Sequence, residues 1–204
     1  ISYIGSTSFT VASLNTEPAT PIPVAATFSN SGYAIHITFD SSTNRGGLQS
    51  ASFLCNTLLN FIGAGTHKCS WSDTSTLVIS LSGMSSLMPG NSISLLGNKV
   101  KAKCIAADCS AWASIPSTSL AVATAVSPEI PIVTIITSPT IGNCDALSID
   151  LSAATGAGGR DWASIAFSVA TTSSTVNVSS LAAHLNAEGK KPYRSPVVAG
   201  RDYL

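Results

Sequence analysis

Charged side chains are scarce in this chain of 204 residues, where Asp, Glu, Lys and Arg make up 10% against about a quarter in an average soluble protein. Ten basic and ten acidic residues give a formal net charge of zero. Electrostatic capture of nucleic acid requires an excess of Lys and Arg that displaces counterions from phosphates. No nucleic-acid partner is therefore expected.

Long apolar runs are also missing. No stretch approaches the roughly 18 consecutive apolar residues that a bilayer span requires, and the longest candidate, residues 119–126, is far shorter. We therefore expect no membrane contact by this segment. The chain opens at Ile1 without a basic segment followed by an apolar one, so we expect a processed or excised piece of a longer protein.

Metal and cofactor signatures are lacking too. None of the five cysteines forms a Cys-x-x-Cys pair, and the three histidines lie at distant positions, so we predict no zinc site. Residues 40–46 begin like a calcium loop, but Arg45 occupies the position that requires Gly, and Ala51 the position that requires Glu. We predict a polar hairpin loop there, and no metal or cofactor.

No set of residues has the pattern of a catalytic centre. The chain has no Gly-x-Ser-x-Gly nucleophile elbow. His36 lies on the polar face of a predicted strand, His67 in a Gly-rich loop and His184 near a possible helix. Asp145 and Asp150 are five residues apart on a predicted strand and so point to opposite faces. We predict no catalytic residue and no enzyme, with a secreted hydrolase as an alternative.

The five cysteines have an uneven spacing that suits disulfides. Cys55 and Cys69 flank a loop dense in Asn, Gly and Thr, and Cys104 and Cys109 flank a four-residue gap, so two short-range bridges are the simplest pairing among several. Cys144 is left over, either paired with a cysteine outside this chain or buried and reduced. Together with abundant Ser and Thr, this predicts an extracellular location.

Apolar residues that alternate with polar ones predict short β-strands. The runs are Ala34–Phe39 and residues 77–81, 92–96, 100–104 and 119–126. Residues 88–91, with the sequence Met-Pro-Gly-Asn, predict a turn. Turns about ten residues apart are typical of an antiparallel β-sandwich. Helix is predicted only as two short segments, within residues 48–61 and 179–185.

Two proline-bearing joints divide the chain, because proline removes a ladder donor and biases the preceding residue away from helix. The predicted parts are residues 1–23, an N-terminal strand and joint; 24–126, a β-sandwich; 127–142, a second joint; and 143–204, a further β domain truncated at its C-terminal end. The last part has a strand from Cys144 to Ser152, a Gly-rich turn and a strand over residues 165–169.

The last part, residues 143–204, resembles a known family. Its pattern Cys-x-x-Leu-x-Ile-Asp-x-Ser at residues 144–152, with Gly-Gly-Arg at residues 158–160 and an aromatic strand, resembles the start of the receptor-for-egg-jelly (REJ) region. That region occurs in polycystin-1-like proteins and in ciliary surface proteins of protists and algae. The family places a Trp about six residues after the Arg, whereas here Trp162 comes earlier and Phe167 lies near that place.

The first domain adds to this resemblance. Its segments Ile-Thr-Phe-Asp at residues 37–40 and Cys-x-Trp at residues 69–71 look like the sandwich domain that precedes REJ regions in protist proteins. The resemblance implies tandem immunoglobulin-like or fibronectin-like β-sandwiches in a large cell-surface protein of the cilium. It also implies a non-catalytic scaffold in adhesion, filament assembly or channel association. The implied partners are other copies, a cell-surface filament or a polycystin-type channel, with glycans as a further possibility.

Two surface features remain open. Trp71, Trp112 and Trp162 would form a sugar-stacking platform if exposed, which is the alternative of a carbohydrate-binding module. Isolated tryptophans beside strands are more often core residues, and Trp71 is expected to pack on the Cys69 disulfide. Asn177 heads the N-glycosylation sequon Asn-Val-Ser, which predicts a modified surface loop.

Overall fold

The computed structural model describes residues 16–81, 86–142, 145–158, 162, 164–172, 177–188 and 196–200. Contacts group the chain into two units. The first comprises residues 1–28, 34–80 and 86–124, and the second residues 29–33, 81–85 and 125–204. The division predicted at residues 23, 126 and 142 stays a prediction, and Cys144 lies outside the described residues.

The first unit is one eight-stranded sheet with the order β3-β5-β6-β2-β1-β8-β7-β4. Its strands are β1 Pro23–Phe28, β2 Ala34–Phe39, β3 Phe53–Leu54, β4 Leu59–Asn60, β5 Lys68–Trp71, β6 Thr76–Ser80, β7 Ser92–Leu95 and β8 Thr118–Ala123. The prediction of a mostly-β protein is confirmed. The pairing is not wholly antiparallel as expected, since β1 and β8 run parallel.

Connectivity requires this sheet to curl. The edge strands β3 and β4 are separated by residues 55–58 alone, which span at most about 18 Å when fully extended. A flat sheet of eight strands is about 34 Å from edge to edge. The two edges therefore approach each other, and the apolar face of the sheet is turned inward.

Alternation along the strands builds the core of this unit. On β2, Ile35 and Ile37 are at most 1% exposed, whereas His36 between them is exposed. They pair across the ladder with Ile79 and Leu77 of β6, both fully buried. Apolar side chains from adjacent strands thus share one face, as the period of two predicted.

Two local predictions for the first unit are wrong. Residues 48–61 contain no α-helix, but two-residue strands around a 3₁₀ turn at Cys55–Thr57. The Cys55 N–H donates to the His67 carbonyl, so the neighbouring loop competes with a helical bonding pattern. Residues 100–104 form isolated bridges at Lys101 and Ala102 instead of a strand.

The described part of the second unit has one helix and a two-stranded sheet. Strand β9 Leu147–Ile149 pairs antiparallel with β10 Val197–Ala199, and helix α1 covers Val178–Glu188. The helix is longer than the predicted 179–185. A small core joins the three elements, with Leu181, Leu185, Val197 and Ala199 buried.

Residues 165–169 were predicted as a strand and form no ladder in the structure. Side-chain bonds replace the missing ladder, because Phe167 donates its N–H to Asn186 Oδ1 at 2.8 Å and accepts from Asn186 Nδ2 at 2.9 Å. Phe167 packs against the small core. A helix residue thus binds this segment as a strand neighbour would.

Candidate functional site

Both predicted short-range disulfides are present. The sulfurs of Cys55 and Cys69 are 2.01 Å apart, and both residues are at most 1% exposed. Cys55 follows edge strand β3 and Cys69 belongs to β5, its neighbour in the sheet. The bond therefore fastens a two-residue edge strand that few hydrogen bonds hold.

The second disulfide joins Cys104 and Cys109 in a surface loop. Lys101 Nζ donates to the Ser110 carbonyl at 2.6 Å, and Asp108 Oδ1 accepts from the Ser110 N–H at 2.8 Å. The Ser110 hydrogen bonds and nearby Lys101 hold the pKa of Asp108 below its ordinary value. This disulfide closes a short surface loop whose four enclosed residues are Ile-Ala-Ala-Asp.

Asn177 is exposed and immediately precedes α1. Its Oδ1 accepts the N–H of Ser180 at 3.1 Å, and its carbonyl accepts the N–H of Leu181 at 3.1 Å. This is the geometry of a helix N-cap. The capping bond uses the side-chain oxygen and leaves the side-chain nitrogen, the atom that a glycan would modify, outside the cap.

The three histidines occupy separate environments. His36 is exposed on β2, and His184 Nε2 lies 2.9 Å from the Val198 carbonyl. His67 is buried, with Nδ1 2.7 Å from the Gly63 carbonyl, so Nδ1 carries the proton. Its Nε2 is buried and has no hydrogen-bond partner among the described residues, and the ring meets Phe61 edge-on at 5.8 Å. His67 therefore packs the loop beside the buried disulfide.

The predicted carboxylates Asp145 and Asp150 lie on either side of β9, whose three residues are 147–149. Asp150 Oδ1 accepts the Ser152 N–H at 2.8 Å, which lowers the pKa of Asp150. Asp145 Oδ2 accepts the Gly142 N–H at 2.9 Å. Each carboxylate therefore closes a local turn.

The tryptophans do not share one role. Trp112 is 7% exposed and belongs to the core, which agrees with the favoured interpretation and removes it from the alternative of an exposed sugar-binding platform. Trp162 lines an apolar cavity of about 200 Å³ in the second unit, with Val133, Leu151 and Phe167. Trp71 is half-buried, with its ring centroid 5.6 Å from that of Phe39. Its packing on the disulfide stays a prediction.

Trp71 also lines a cleft of about 190 Å³ in the first unit, which we call the Trp71 cleft. Its walls are formed by side chains from two parts of the chain: Asn44, Arg45, Leu48, Gln49, Ser50, Ala51 and Trp71. Most of this lining is polar. The volume equals that of about six liquid waters, enough for one small polar group.

A left-handed turn builds one wall of this cleft. Arg45, Gly46 and Gly47 have φ values of 56°, 65° and 72° in succession. A left-handed residue with a Cβ is strained by about 1–2 kcal/mol, so Arg45 requires local support. Asn44 Oδ1 provides it by accepting the N–H groups of Gly46 and Lys101 at 3.0 and 2.9 Å.

The same turn is fixed to the core beneath it. A Cβ on Gly46 would lie 2.9 Å from a Leu58 methyl group, and Leu58 is 1% exposed. The Arg45 N–H donates to Thr43 Oγ1 at 3.1 Å, while that hydroxyl donates to the Thr74 carbonyl at 2.8 Å. The cleft wall is therefore held in place before any ligand arrives.

Two donors at this cleft lack acceptors. Arg45 Nε and Trp71 Nε1 are buried and make no hydrogen bond within the part of the chain that the structure describes. An unsatisfied buried N–H costs about 1–3 kcal/mol. No pattern in the sequence predicts this cleft, and its turn overlaps residues 40–46, for which the sequence predicts a polar hairpin loop.

Comparisons with protein-family models, curated proteins and solved structures find no match to the chain. Across the described ranges, no cluster of three or more His, Cys, Asp or Glu residues is arranged to hold a metal ion. No helix within those ranges has the length and apolar character of a bilayer span. Fold and site together define a disulfide-bonded, mostly-β protein with a small polar cleft.

Proposed function

We propose that the chain is a non-catalytic scaffold module of a large extracellular protein, holding neighbouring domains at a distance and transmitting force between them. The REJ resemblance extends the proposal to a ciliary surface protein that binds other copies, a filament or a polycystin-type channel. Tandem immunoglobulin-like or fibronectin-like sandwiches are the architecture that the resemblance implies.

One observation carries the mechanical part of the proposal, the parallel pairing of β1 and β8. Ala26 and Thr27 of β1 pair with Val122 and Ala123 of β8. Strands β1 and β8 are the first and last strands among the described residues of the first unit, so this part of the chain enters at one end of the pair and leaves at the other. Force applied through entry and exit loads the ladder bonds together, along the strands, instead of one at a time.

Further contacts anchor the entry side. Asp40 Oδ1 accepts the Ile22 N–H at 2.8 Å, and the Asp40 N–H donates to the Ile22 carbonyl at 3.0 Å. Glu17 accepts the Ala113 N–H at 2.5 Å. The residues that lead into β1 are therefore bonded to the sheet.

An extracellular setting is supported by the disulfides. Such bonds form and persist in oxidising compartments, and both are compatible with an extracellular domain. The Cys55–Cys69 bond is buried in the core, where external reductants have little access to it.

Single-molecule force spectroscopy tests the scaffold proposal. The first pair of attachment sites is at Thr16 and Val126, which loads β1 and β8 in shear. The second pair is at Thr16 and Ser41, which peels β1 from its antiparallel neighbour β2 because Pro23 pairs with Phe39. We expect a clearly higher unfolding force for the first pair, and equal forces would contradict the proposal.

A proline substitution isolates the ladder itself. Val122 directs its N–H and carbonyl to Asn91 and Gly90, so the N–H of Ala123 faces β1. Ala123→Pro removes that donor and is expected to lower the shear force. Thr124→Pro is the matched control, because the same change one residue further removes an N–H directed away from β1.

Carbohydrate binding is the second candidate function. The three tryptophans do not form the exposed platform that would support carbohydrate binding, because Trp112 is in the core. One observation favours it in a different form, namely the half-buried Trp71 in a polar cleft with unpaired donors. A secreted hydrolase remains an alternative without a supporting observation.

A further inference from the structure

We propose that the Trp71 cleft binds the carboxylate-bearing sugar unit of an acidic glycan, such as a uronic acid. The proposal deepens the second candidate function and rests on it. It is independent of the mechanical role, because the cleft lies at β5 and the 44–51 loop and not at the β1–β8 pair.

The charge of the cleft indicates the charge of the ligand. Arg45 is the one ionisable residue among the side chains that line it. Within the described ranges the Arg45 side chain makes no ion pair and no hydrogen bond. A guanidinium without a carboxylate partner at a cleft wall matches an incoming carboxylate, to which it can donate two parallel hydrogen bonds.

Donors around the cleft indicate the rest of the ligand. Trp71 Nε1 is a buried donor without an acceptor among the described residues, so a ligand oxygen reaches it once the indole tilts toward the cleft. The side chains of Gln49 and Ser50 are exposed at the rim. Oxygen atoms of a sugar satisfy such donors, and hydroxyl groups can also donate to the Gln49 amide oxygen. The indole adds an apolar surface on which the C–H face of a sugar ring can pack.

Size and rigidity limit the ligand to a single ring. A volume of about 190 Å³ is below the 300–1,000 Å³ typical of drug-sized ligand sites. Asn44 and the buried Leu58 hold the left-handed turn, so binding requires little loop ordering. We expect a dissociation constant of about 1 mM for one sugar unit, which a multivalent surface array would strengthen.

Titration of the full chain with sodium glucuronate, followed by NMR shifts, tests the site. We expect saturable shifts at the indole N–H of Trp71 and at the 44–51 backbone, and binding at least tenfold weaker for glucose, which lacks the carboxylate. Absence of saturation by glucuronate, or equal binding of glucose, overturns the proposal.

Arg45→Asn is the decisive variant, because Asn tolerates the positive φ of this position while the cation is lost. It should weaken glucuronate binding about tenfold or more and leave the thermal midpoint nearly unchanged. Lys103→Gln, which removes an exposed cation outside the cleft, is the matched control and should change neither. Unchanged glucuronate binding by Arg45→Asn overturns the assignment.

Trp71→Phe gives a second, independent check, since it keeps an aromatic ring beside Phe39 and removes the indole N–H. We expect a several-fold loss of glucuronate affinity, and no loss overturns the role of Trp71. The same NMR titration with a panel of neutral and acidic sugars separates the two levels of failure. Shifts with neutral sugars alone refute the acidic site and retain carbohydrate binding, whereas no saturable shift with any sugar refutes both. Tighter binding of a peptide carboxylate than of glucuronate also overturns the proposal.

Discussion

Similar branched apolar side chains are buried in the first unit and exposed in part of the second. In the first, Ile35, Leu77 and Ile79 are completely buried in the eight-stranded sheet. In the second, Val126 and Ile130 are 92% and 83% exposed, and four further branched residues, Ile132, Val133, Ile135 and Ile136, are more than half exposed. Composition alone therefore does not determine burial, since these exposed residues lie outside strands β9 and β10.

The number of ladder neighbours explains the contrast physically. A residue on a central strand is covered by neighbours on both sides and by the curl of the sheet, whereas residues 126–136 belong to no strand and have only isolated bridges at Ile132 and Ile136. The second unit compensates with α1, whose Leu181 and Leu185 cover β10. We expect its elements to open at lower free energy than those of the first unit.

The largest effect should come from the centre of the eight-stranded sheet. Ile79→Ala leaves a cavity at a fully buried site and should lower the free energy of unfolding of the first unit by about 2–5 kcal/mol. Urea denaturation followed by circular dichroism measures the change. Ser80→Ala at the exposed neighbouring position should change stability by less than about 0.5 kcal/mol.

The equivalent change in the second unit sharpens the comparison. Leu185→Ala should speed hydrogen exchange throughout α1, β9 and β10, because four buried residues carry that core. Exchange in β1, β2 and β6 should remain as in the unmodified chain. If Ile79→Ala and Leu185→Ala each accelerated exchange in both units equally, the two would be one cooperative structure and the contrast would fail.

The disulfides should contribute unequally within the first unit. Loss of the Cys55–Cys69 bond by double Ser substitution should cost about 3 kcal/mol in the chain-entropy model, and loss of Cys104–Cys109 about 2 kcal/mol, because the second loop is shorter. Urea midpoints of the two double variants test the order. A larger loss from the surface loop would show that the edge strand does not depend on its disulfide.

A smaller effect is expected at the start of α1. Asn177→Ala should destabilise the second unit by about 1 kcal/mol through loss of the N-cap, and it also removes the sequon. Asn177→Asp keeps the capping oxygen and removes only the glycan site, while Ser179→Ala removes the sequon from the other side. Intact mass of protein secreted by a glycosylating host should fall equally in all three variants if the site is occupied.

The smallest effects are pH dependences in turns of both units. Backbone N–H donation from Ser75 lowers the pKa of Asp73, as Ser152 lowers that of Asp150, both below 3.8. A depressed folded-state pKa contributes stability above the unfolded-state value, and that contribution disappears as the pH falls through the folded-state pKa. Carboxyl NMR titrations should give midpoints below 3.8, and Ser75→Ala, which removes only the Oγ donor, should raise that of Asp73 partway.

Much of the sheet could be predicted from sequence because alternation is a local property. Residues 34–39 and 77–81 each contain the full pattern of one buried face, and the turn at residues 88–91 carries its own Pro-Gly-Asn signal. The Asn91 N–H does bond to the Met88 carbonyl at 3.1 Å, with Gly90 at a φ of 89°. The two short-range disulfides were predictable because their cysteines are near in sequence.

The features on which the proposed functions depend were not predictable in this way. The pairing of Ala26 with Val122 joins the two ends of the unit, and β3 and β4 have two residues each, too few for a period to show. The Trp71 cleft combines a left-handed turn with a residue from another strand. Neither a short stretch of sequence nor a motif shows which distant residues come together in the fold.

The short outer strands of the curled sheet have a consequence for crowding. A long unpaired edge strand can pair with a strand of a neighbouring molecule. The edge strands here have two residues each, and one is fastened by a disulfide, so they present few unpaired backbone groups. Many copies could therefore stand side by side at high local density without fusing into a shared β-structure.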